Sequence, residues 1–160
     1  MQDKGDFSVI RCFDHDKDVV SLRQLHLDFS LTMEANANEK ACEPVAVDVF
    51  MQLVIAYIQA EQGCLFMMEH QEETVGYALF IIDPNPPNDE FVGTLAEIYV
   101  APAWRRNHFA KSAVVEGLRW LQDHGIDQCY VSVYKHNLAA ISFYEKMDFL
   151  VSDYRMLKVL

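Results

Sequence analysis

The stretch that decides the fold is VAPAWRRNHFAKSAV, residues 100–114. A strand-forming run, TLAEIYV (94–100), ends here, and a proline and two arginines separate it from apolar residues at helical spacing. A strand that passes directly into a helix is the repeating unit of α/β folds. The stretch therefore predicts an α/β architecture, and it places positive charge where a helix begins.

Positive charge is concentrated at this junction, although the chain as a whole is acidic. The net charge is −11, and residues 51–100 contain eight Asp and Glu but no Lys or Arg. Residues 101–120 contain four basic side chains and one acidic one. This distribution argues against a nucleic-acid partner, because most of the surface would repel a polyanion. It favours a small anion bound at 101–120, although a basic helix face exposed to water explains the same pattern.

The rest of the chain alternates between strand and helix patterns in the order βααβββαβαβ. Strands alternating with helices after residue 90 imply a mixed, partly parallel sheet flanked by about four helices. The length of 160 residues predicts that 1–160 form one domain. The predicted strands are 7–13, 64–70, 74–82, 94–100, 127–134 and 149–160. The predicted helices cover 19–33, 45–63, the segment between the junction and the His-Gly pair at 124–125, and 137–147.

Composition places the chain among ordinary globular proteins of the cytoplasm. Apolar residues make up 51% and charged residues 23% of the sequence. No run of roughly 18 apolar residues predicts a membrane span, and the first residues lack the apolar core of a secretory signal. The four cysteines are widely spaced and form no CxxC pair. We therefore expect reduced thiols, no metal site and no redox function.

The first turn of the helix after the junction is a candidate anion site. A helix start exposes unpaired N–H groups and the positive end of the helix dipole. Arg105, Arg106 and Lys111 add formal charge around these amides, and arginine can bind two phosphate oxygens at once. The stretch thus predicts a diphosphate held mainly by backbone groups of residues 107–111.

Four segments together resemble one family. RRNHFA (105–110) resembles the Q/R-x-x-G-x-G/A signature of the GNAT superfamily of N-acetyltransferases, in which the loop holds the pyrophosphate of acetyl-coenzyme A. EIYVAP (97–102) is similar to the strand end and proline that precede this signature. NLAAISFYEKMDF (137–149) resembles the family pattern N-x-x-A-x-x-x-Y-x-x-x-G-F, and residues 10–25 look like the family's first strand and helix. The resemblance covers nearly the whole chain and implies a GNAT-like fold.

Two positions depart from the family pattern. His108 stands where the signature has its first glycine, and Asp148 stands at the glycine before the final Phe. Glycine adopts positive φ at little cost and lets the backbone approach a ligand closely. If His108 has ordinary helical dihedrals, the loop is unaffected, whereas a positive φ would strain it. Ala110 meets the small-residue requirement at the second glycine.

The resemblance implies that acetyl-coenzyme A is the acetyl donor, with no metal, and it assigns the residues that bind the donor. Residues of the loop would hold the diphosphate, and backbone groups of the preceding strand would bond the pantetheine arm and the acetyl oxygen. Asn137 would cap its helix and reach the pantetheine, although capping alone accounts for an Asn there. The implied set is Ile98, Val100, Arg105, Arg106, Asn107, His108, Phe109, Ala110, Lys111 and Asn137.

Glu97 is the predicted base for the acceptor amine, which must lose a proton before it attacks a thioester. It alternates with Leu95 and Tyr99 on one face of the strand before the loop. The alternatives for Glu97 are a charge at the sheet rim and a substrate-orienting role. Glu69 and Glu72, on the predicted hairpin, are weaker candidates for the base.

Tyr144 is the predicted general acid. It falls seven residues after Asn137, which is the spacing of the family tyrosine that faces the thioester sulfur. Such a tyrosine would give a proton to the departing thiolate. The alternative is packing alone, because Phe143 and Tyr144 lie together on an apolar helix.

These residues predict an enzyme that acetylates a primary amine by direct transfer in a ternary complex. Glu34, Glu39 and Glu43 lie where the family forms its acceptor side, and they favour a small cationic amine such as a polyamine or an aminoglycoside. A protein or peptide amine is one alternative acceptor, and a catalytically degraded module that binds acyl-coenzyme A is an alternative function. A homodimer and a monomer are equally compatible with the predicted terminal strand edge.

Overall fold

The computed structural model describes residues 8–37, 44–85, 90–154, 156 and 158. Its elements follow the predicted order as far as the last helix. A 3₁₀ turn, Pro102–Trp104, lies between the fourth strand and the third helix. In chain order the elements are β1 (Ser8–Cys12), α1 (His15–Ala37), α2 (Pro44–Gln59), β2 (Gly63–His70), β3 (Glu73–Asn85), β4 (Glu90–Val100), α3 (Phe109–Asp123), β5 (Cys129–Val131) and α4 (Leu138–Glu145).

The five strands of the described residues form one mixed sheet in the order β1-β2-β3-β4-β5. The strands from β1 to β4 are antiparallel to their neighbours, whereas β5 runs parallel to β4. The β2–β3 hairpin turns through Gln71 and Glu72, with φ values of 49° and 70°, as a two-residue turn between right-twisted strands requires. β5 can be parallel to β4 because α3 forms the crossover connection between them.

Helices cover both faces of the sheet and bury a separate core on each. On one face, α1 and α2 pack against β2, β3 and β4, and the fully buried residues include Leu22, Val54 and Tyr77. On the other face, α3 packs around the buried ring of Phe80. Gly117 allows this close approach of α3, since a Cβ at this position would lie 2.0 Å from the Phe80 ring. The predicted mixed α/β architecture is therefore confirmed.

A bulge in β4 changes which of its side chains share a face. Consecutive residues of β3 pair with Glu97 and Leu95, so Ala96 is an extra residue without a partner in β3. The alternation of side chains is broken at this point. Leu95 packs in the α3 core, whereas Glu97 lies with Tyr99 on the α1–α2 face. The prediction that Glu97 and Tyr99 share a face is correct, and the inclusion of Leu95 is wrong.

β4 and β5 separate beyond this bulge. Their pairing ends at Leu95 and Val131, whereas β4 continues to Val100. No described strand pairs with the outer edge of β4 from Ala96 onwards. The last five residues of β4 therefore have one edge that pairs with no described strand.

The predicted terminal strand, 149–160, is wrong for residues 149–154, which form no strand. Leu150, Val151 and Tyr154 are 90%, 69% and 88% exposed. Apolar alternation favours a strand only where a neighbouring edge accepts its hydrogen bonds. β5, predicted over 127–134, has only three residues in the sheet and offers too short an edge.

Smaller differences lie at the ends of elements. α1 begins at His15 rather than at residue 19, because the Asp14 carboxylate accepts from the N–H groups of Asp16 at 3.0 Å and Lys17 at 3.4 Å. β3 continues to Asn85, three residues beyond the end of the predicted strand 74–82. None of the described helices is long and apolar enough to cross a membrane. The predicted acceptor-side acids Glu39 and Glu43 lie outside the described residues, as does the side chain of Glu34.

Candidate active site

The junction between β4 and α3 is a tight turn that exposes the first amides of the helix. β4 ends at Val100, the 3₁₀ turn Pro102–Trp104 follows, and α3 begins at Phe109. His108 is the N-cap residue, but its side chain makes no capping hydrogen bond. Its carbonyl accepts the N–H of Ser112 at 2.9 Å. Within the described residues, the first three N–H groups of α3 therefore have no capping acceptor.

The two residues that replace family glycines both have a left-handed backbone. The φ angle is 64° at His108 and 63° at Asp148. Arg106, in the same turn as His108, has a φ of 65°. This conformation costs most L-residues about 1 to 2 kcal/mol, and His and Asp tolerate it better than most. Of the two conformations that the sequence allows for His108, the strained one is present.

Arg105 is bound to the end of β4. Its Nε donates to the carbonyl of Val100 at 2.9 Å, and its guanidinium lies 5.8 Å from the centre of the Tyr99 ring. Two groups that the sequence predicts to bind the coenzyme, the Arg105 side chain and the Val100 carbonyl, thus bind each other. Arg105 shapes the turn, and only its two terminal nitrogens can serve an anion.

The side chains of the other predicted loop residues differ in their exposure to solvent. The side chains of Arg106, Asn107, His108 and Lys111 are exposed around the start of α3. Phe109 is buried and packs edge-on against the rings of Trp104 and His70, so only its backbone N–H is available to a ligand. Ala110 is half-buried.

Ile98 and Val100 present backbone groups at the open edge of β4. Ala101 donates its N–H to the carbonyl of Val75 in β3 at 2.9 Å, so its backbone groups face β3. Because successive residues of a strand point their backbone groups to opposite edges, those of Val100 and Ile98 face away from β3. This is the edge that β5 leaves unpaired.

Glu97 lies in a buried polar network on the α1–α2 face. Its Oε1 accepts hydrogen bonds from His26 Nδ1 at 2.8 Å and from the Tyr77 hydroxyl. The Glu97 and His26 side chains are 15% and 7% exposed. The His26 ring stacks on Phe50 with 3.8 Å between centroids and 2° between planes. The carboxylate is therefore held in one orientation by groups from α1 and β3.

His26 and Tyr77 are functional candidates that the sequence prediction missed. The signal for His26 is present in the sequence, since Leu22, Leu25, His26 and Phe29 follow the i, i+3, i+4, i+7 spacing of a helix face. A histidine on such a buried face needs a hydrogen-bond partner. The identity of that partner could not be read from the sequence, because Glu97 follows His26 by 71 residues in the chain.

Glu69 and Glu72 do not fit the role of base. Glu69 is bound by Arg11 and by Lys17, whose Nζ lies 3.0 Å from Oε1. The hydrogen bond from Arg11 holds the pKa of Glu69 below its ordinary value, with Lys17 acting in the same direction and burial opposing. Glu72 is exposed in the hairpin turn. Glu69, whose Oε1 is bound by both cations, stabilises the contact between β1, α1 and β2.

Tyr144 is buried on α4 against Phe143 and Phe149, with ring centroids at 5.1 Å and 5.4 Å. Burial, and secondarily the neighbouring Cys129 thiol, raises the pKa of Tyr144 to about 12. Among the described residues, Arg11 Nε is the only fully buried polar side-chain atom that lacks a hydrogen-bond partner. The Tyr144 hydroxyl has no described hydrogen-bond partner, and it is not among the fully buried polar atoms.

Asn137 caps α4, as predicted. Its Oδ1 accepts the N–H of Ala140 at 3.1 Å. This bond fixes the start of the helix that carries Tyr144, and it leaves the exposed amide nitrogen of Asn137 available to a ligand. Among the described residues, no group of three or more His, Cys, Asp or Glu side chains is placed to hold a metal ion.

The chain belongs to the acetyltransferase (GNAT) family, whose model matches residues 29–149. The resemblance inferred from the sequence is thus confirmed, and with it the prediction of an enzyme of the acetyltransferase class. The matched range includes β4, the α3 turn and α4. No curated protein sequence matches the chain at a significant level.

Solved structures support the same fold. An aminoglycoside N-acetyltransferase, AAC(6')-Iy in complex with CoA, has a TM-score of 0.78 at 16% identity, over 100% of this chain and 99% of the other. A possible acetyltransferase from Clostridium difficile 630 has a TM-score of 0.72 at 18% identity, over 97% and 98%. An acetyltransferase from Trypanosoma brucei has 0.67 at 17% identity, over 96% and 99%. At such identities the likeness establishes the fold alone.

Proposed function

We propose that this protein is an N-acetyltransferase that transfers an acetyl group from acetyl-coenzyme A directly to a primary amine while both are bound. The observation that carries the proposal is the uncapped start of α3 beside the open edge of β4. An uncapped helix start accepts a diphosphate, and an open strand edge accepts an extended chain that contains amides. Acetyl-coenzyme A combines these two groups, and its thioester supplies the activated acetyl group.

The residues of the α3 turn fit a diphosphate. The amides of Phe109, Ala110 and Lys111 have no capping acceptor among the described residues and lie at the positive end of the helix dipole. Arg106 and the Lys111 side chain are exposed beside them and add charge. Arg105 contributes mainly by fixing the turn to β4.

The open edge of β4 fits the amide-containing arm. Ile98 offers an N–H and a carbonyl there, whereas Val100 offers its N–H because Arg105 occupies its carbonyl. Asn137 lies at the start of α4, and its amide nitrogen donates to the arm. These contacts set the thioester near the middle of β4, close to the bulge.

Glu97 takes the proton that the acceptor amine must lose. An alkylammonium has a pKa of about 10.4 and cannot attack a carbonyl until it is deprotonated. Glu97 Oε1 carries both described hydrogen bonds. Oε2 has no described hydrogen-bond partner and is not among the fully buried polar atoms, so it is accessible. The free oxygen is the one that meets the amine, either directly or through water.

Tyr144 donates to the sulfur that leaves. Its raised pKa keeps the hydroxyl protonated throughout the neutral range, so it is always able to donate. A hydrogen bond from a buried hydroxyl is stronger than one in water and stabilises the developing thiolate.

The acceptor is a small cationic amine. Residues 51–100, which include β2, β3 and β4, carry eight acidic side chains and no Lys or Arg. Such a surface raises the local concentration of cations. One structural neighbour is an aminoglycoside N-acetyltransferase, which supports this acceptor class. A polyamine has the same chemistry at smaller size.

An amine panel tests the proposal. Purified protein is incubated with acetyl-coenzyme A and with polyamines, aminoglycosides, free lysine or an unmodified peptide, and free thiol release is followed. We expect turnover with at least one small polycation and none without amine. Turnover with the peptide alone would assign a protein or peptide acceptor, and thiol release that is independent of amine would contradict an N-acetyltransferase.

The left-handed backbone at His108 favours a second candidate, a module that binds acyl-coenzyme A without catalysis. Thermal unfolding with and without acetyl-coenzyme A separates the possibilities. We expect the enzyme to be stabilised by millimolar ligand and to turn over an amine. Stabilisation without turnover on any amine would support the binding module, and no stabilisation would remove both.

A further inference from the structure

We infer that His26 is a positioning residue for Glu97: it holds one carboxylate oxygen so that the other faces the acceptor amine. The inference rests on the proposed function, and it adds a residue of α1 to a site otherwise formed by β4, α3 and α4. It explains why a histidine occupies the buried face of α1, where an aliphatic side chain would pack without needing a partner.

The hydrogen bond has a defined direction. An ionised carboxylate only accepts, so His26 Nδ1 must carry the hydrogen when it contacts Glu97 Oε1 at 2.8 Å. The Tyr77 hydroxyl donates to the same oxygen. Two donors on one oxygen fix the carboxylate plane, and Oε2 is left without a described hydrogen-bond partner and is not fully buried.

The His26 ring itself cannot rotate freely. It lies flat on Phe50, 3.8 Å between centroids, and Phe29 contacts it at 6.0 Å. Tyr77 Oη lies 3.3 Å from Nδ1. Ring packing thus fixes the position of the His26 N–H group. Because this group is hydrogen-bonded to Glu97, the orientation of the Glu97 carboxylate is fixed before the substrate binds. Groups held in this way contribute to rate because a displacement of about 1 Å can cost roughly 100-fold.

Two substitutions of His26 distinguish the effect of its hydrogen-bond donor from the effect of its ring packing. His26→Phe retains a ring that can stack on Phe50 but has no donor. His26→Asn has no ring, but its side-chain amide can place an N–H near the position of Nδ1. We expect His26→Phe to lower kcat roughly 10- to 100-fold with the KM for acetyl-coenzyme A unchanged, and His26→Asn to keep most of the turnover. The opposite ranking would show that His26 matters for packing and would overturn the inference.

A double-substitution cycle shows whether His26 acts through Glu97. In a Glu97→Gln background, we expect His26→Phe to cause no further loss of kcat, because residues that act as one unit are not additive. Independent, multiplicative losses would refute the positioning role. If His26→Phe does not fold, as judged by circular dichroism and thermal unfolding, His26→Leu takes its place in both experiments.

The outcomes distinguish this inference from the proposed function. A wild-type protein that acetylates no amine contradicts the proposed function. An active wild type with a fully active Glu97→Gln variant contradicts the role of Glu97 as base. An impaired Glu97→Gln variant together with a fully active His26→Phe variant contradicts the positioning role of His26 alone.

Discussion

The two ends of the candidate site are constructed in opposite ways. Around Glu97, the groups are buried, stacked and hydrogen-bonded, with two donors on a single oxygen. Around the start of α3, the amides lack a described cap, the charged side chains are exposed, and non-glycine residues adopt left-handed backbone. Proton transfer requires fixed geometry, whereas the capture of an anion requires free donors and positive charge.

This contrast teaches that the two ends should respond differently to substitution. Changes in the buried network should lower kcat strongly and be insensitive to salt, because buried groups are little screened. Changes in the α3 turn should alter coenzyme binding modestly and depend on salt. The substitutions below test this comparison, beginning with the largest expected effect.

Glu97→Gln should lower kcat roughly 100- to 10,000-fold, the range typical for loss of a general base. The Gln side chain has nearly the same shape and can still accept from His26, so the melting temperature should change little. Thiol release with the preferred amine measures turnover. Glu72→Gln, in the exposed hairpin turn, is the matched control and should be fully active. Equal activity of the two variants would remove Glu97 from catalysis.

Tyr144→Phe should lower kcat roughly 10- to 100-fold and change the KM for acetyl-coenzyme A much less. Only the hydroxyl is removed, so the packing against Phe143 and Phe149 is retained. Tyr154→Phe, at an exposed position, serves as the control. Unchanged turnover in the Tyr144 variant would leave that side chain a packing role only.

The pKa of Tyr144 makes this prediction sharper. Because burial raises the pKa from 10.0 to about 12, the hydroxyl stays protonated at pH 7 and pH 9, and the loss in the Phe variant should be equal at both. The linked stabilisation is fully present below pH 10 and is lost as the pH rises through 12. The wild type should therefore lose more free energy of unfolding than Tyr144→Phe over this window, measured by urea denaturation. Parallel curves would contradict the shift.

Arg106→Ala should raise the KM for acetyl-coenzyme A a few-fold in low salt, and the difference should shrink as salt screens the exposed charge. Arg105→Ala should also weaken binding, but with weaker salt dependence and a lower melting temperature, since its Nε bond to Val100 holds the turn. Initial rates at roughly 20 and 500 mM salt give the comparison. Identical salt dependence in the two variants would show that both arginines act as free cations.

His108→Gly should have the smallest effect and should be favourable. Glycine removes the left-handed strain but adds freedom to the unfolded chain, so a net gain of about 0.5 kcal/mol in the free energy of unfolding is expected. Asp148→Gly should behave in the same way, and His108→Ala should destabilise. A loss of stability in both glycine variants would show that His108 and Asp148 make compensating contacts.

Local patterns predicted most of the fold. Periodicity located the four helices and five strands of the described residues, and the motifs at 10–25, 97–102, 105–110 and 137–149 indicated the family. The terminal strand failed because pairing depends on a neighbouring edge, and β5 supplies only three residues. The face assignment of Leu95 failed because a bulge is one unpaired residue, and nothing in TLAEIYV marks Ala96 as that residue.

The residues of the candidate site were named from the family resemblance, and their roles stay predictions. The contacts among these residues were not predicted, nor were the donors that hold Glu97. The bond between Arg105 and Val100 depends on the path of the turn between them. The bonds to Glu97 depend on residues that are far apart along the chain.

The sequence by itself determined the α/β order of the elements, because hydrophobic periodicity and helix caps are local properties of neighbouring residues, and its motifs carried the resemblance to the family. Only the tertiary structure decided which oxygen of Glu97 is held, which arginine is free and how His108 bends the chain. These features arise where separate elements meet, and packing of α1 and β3 around β4 selects one arrangement among many that the same local patterns allow.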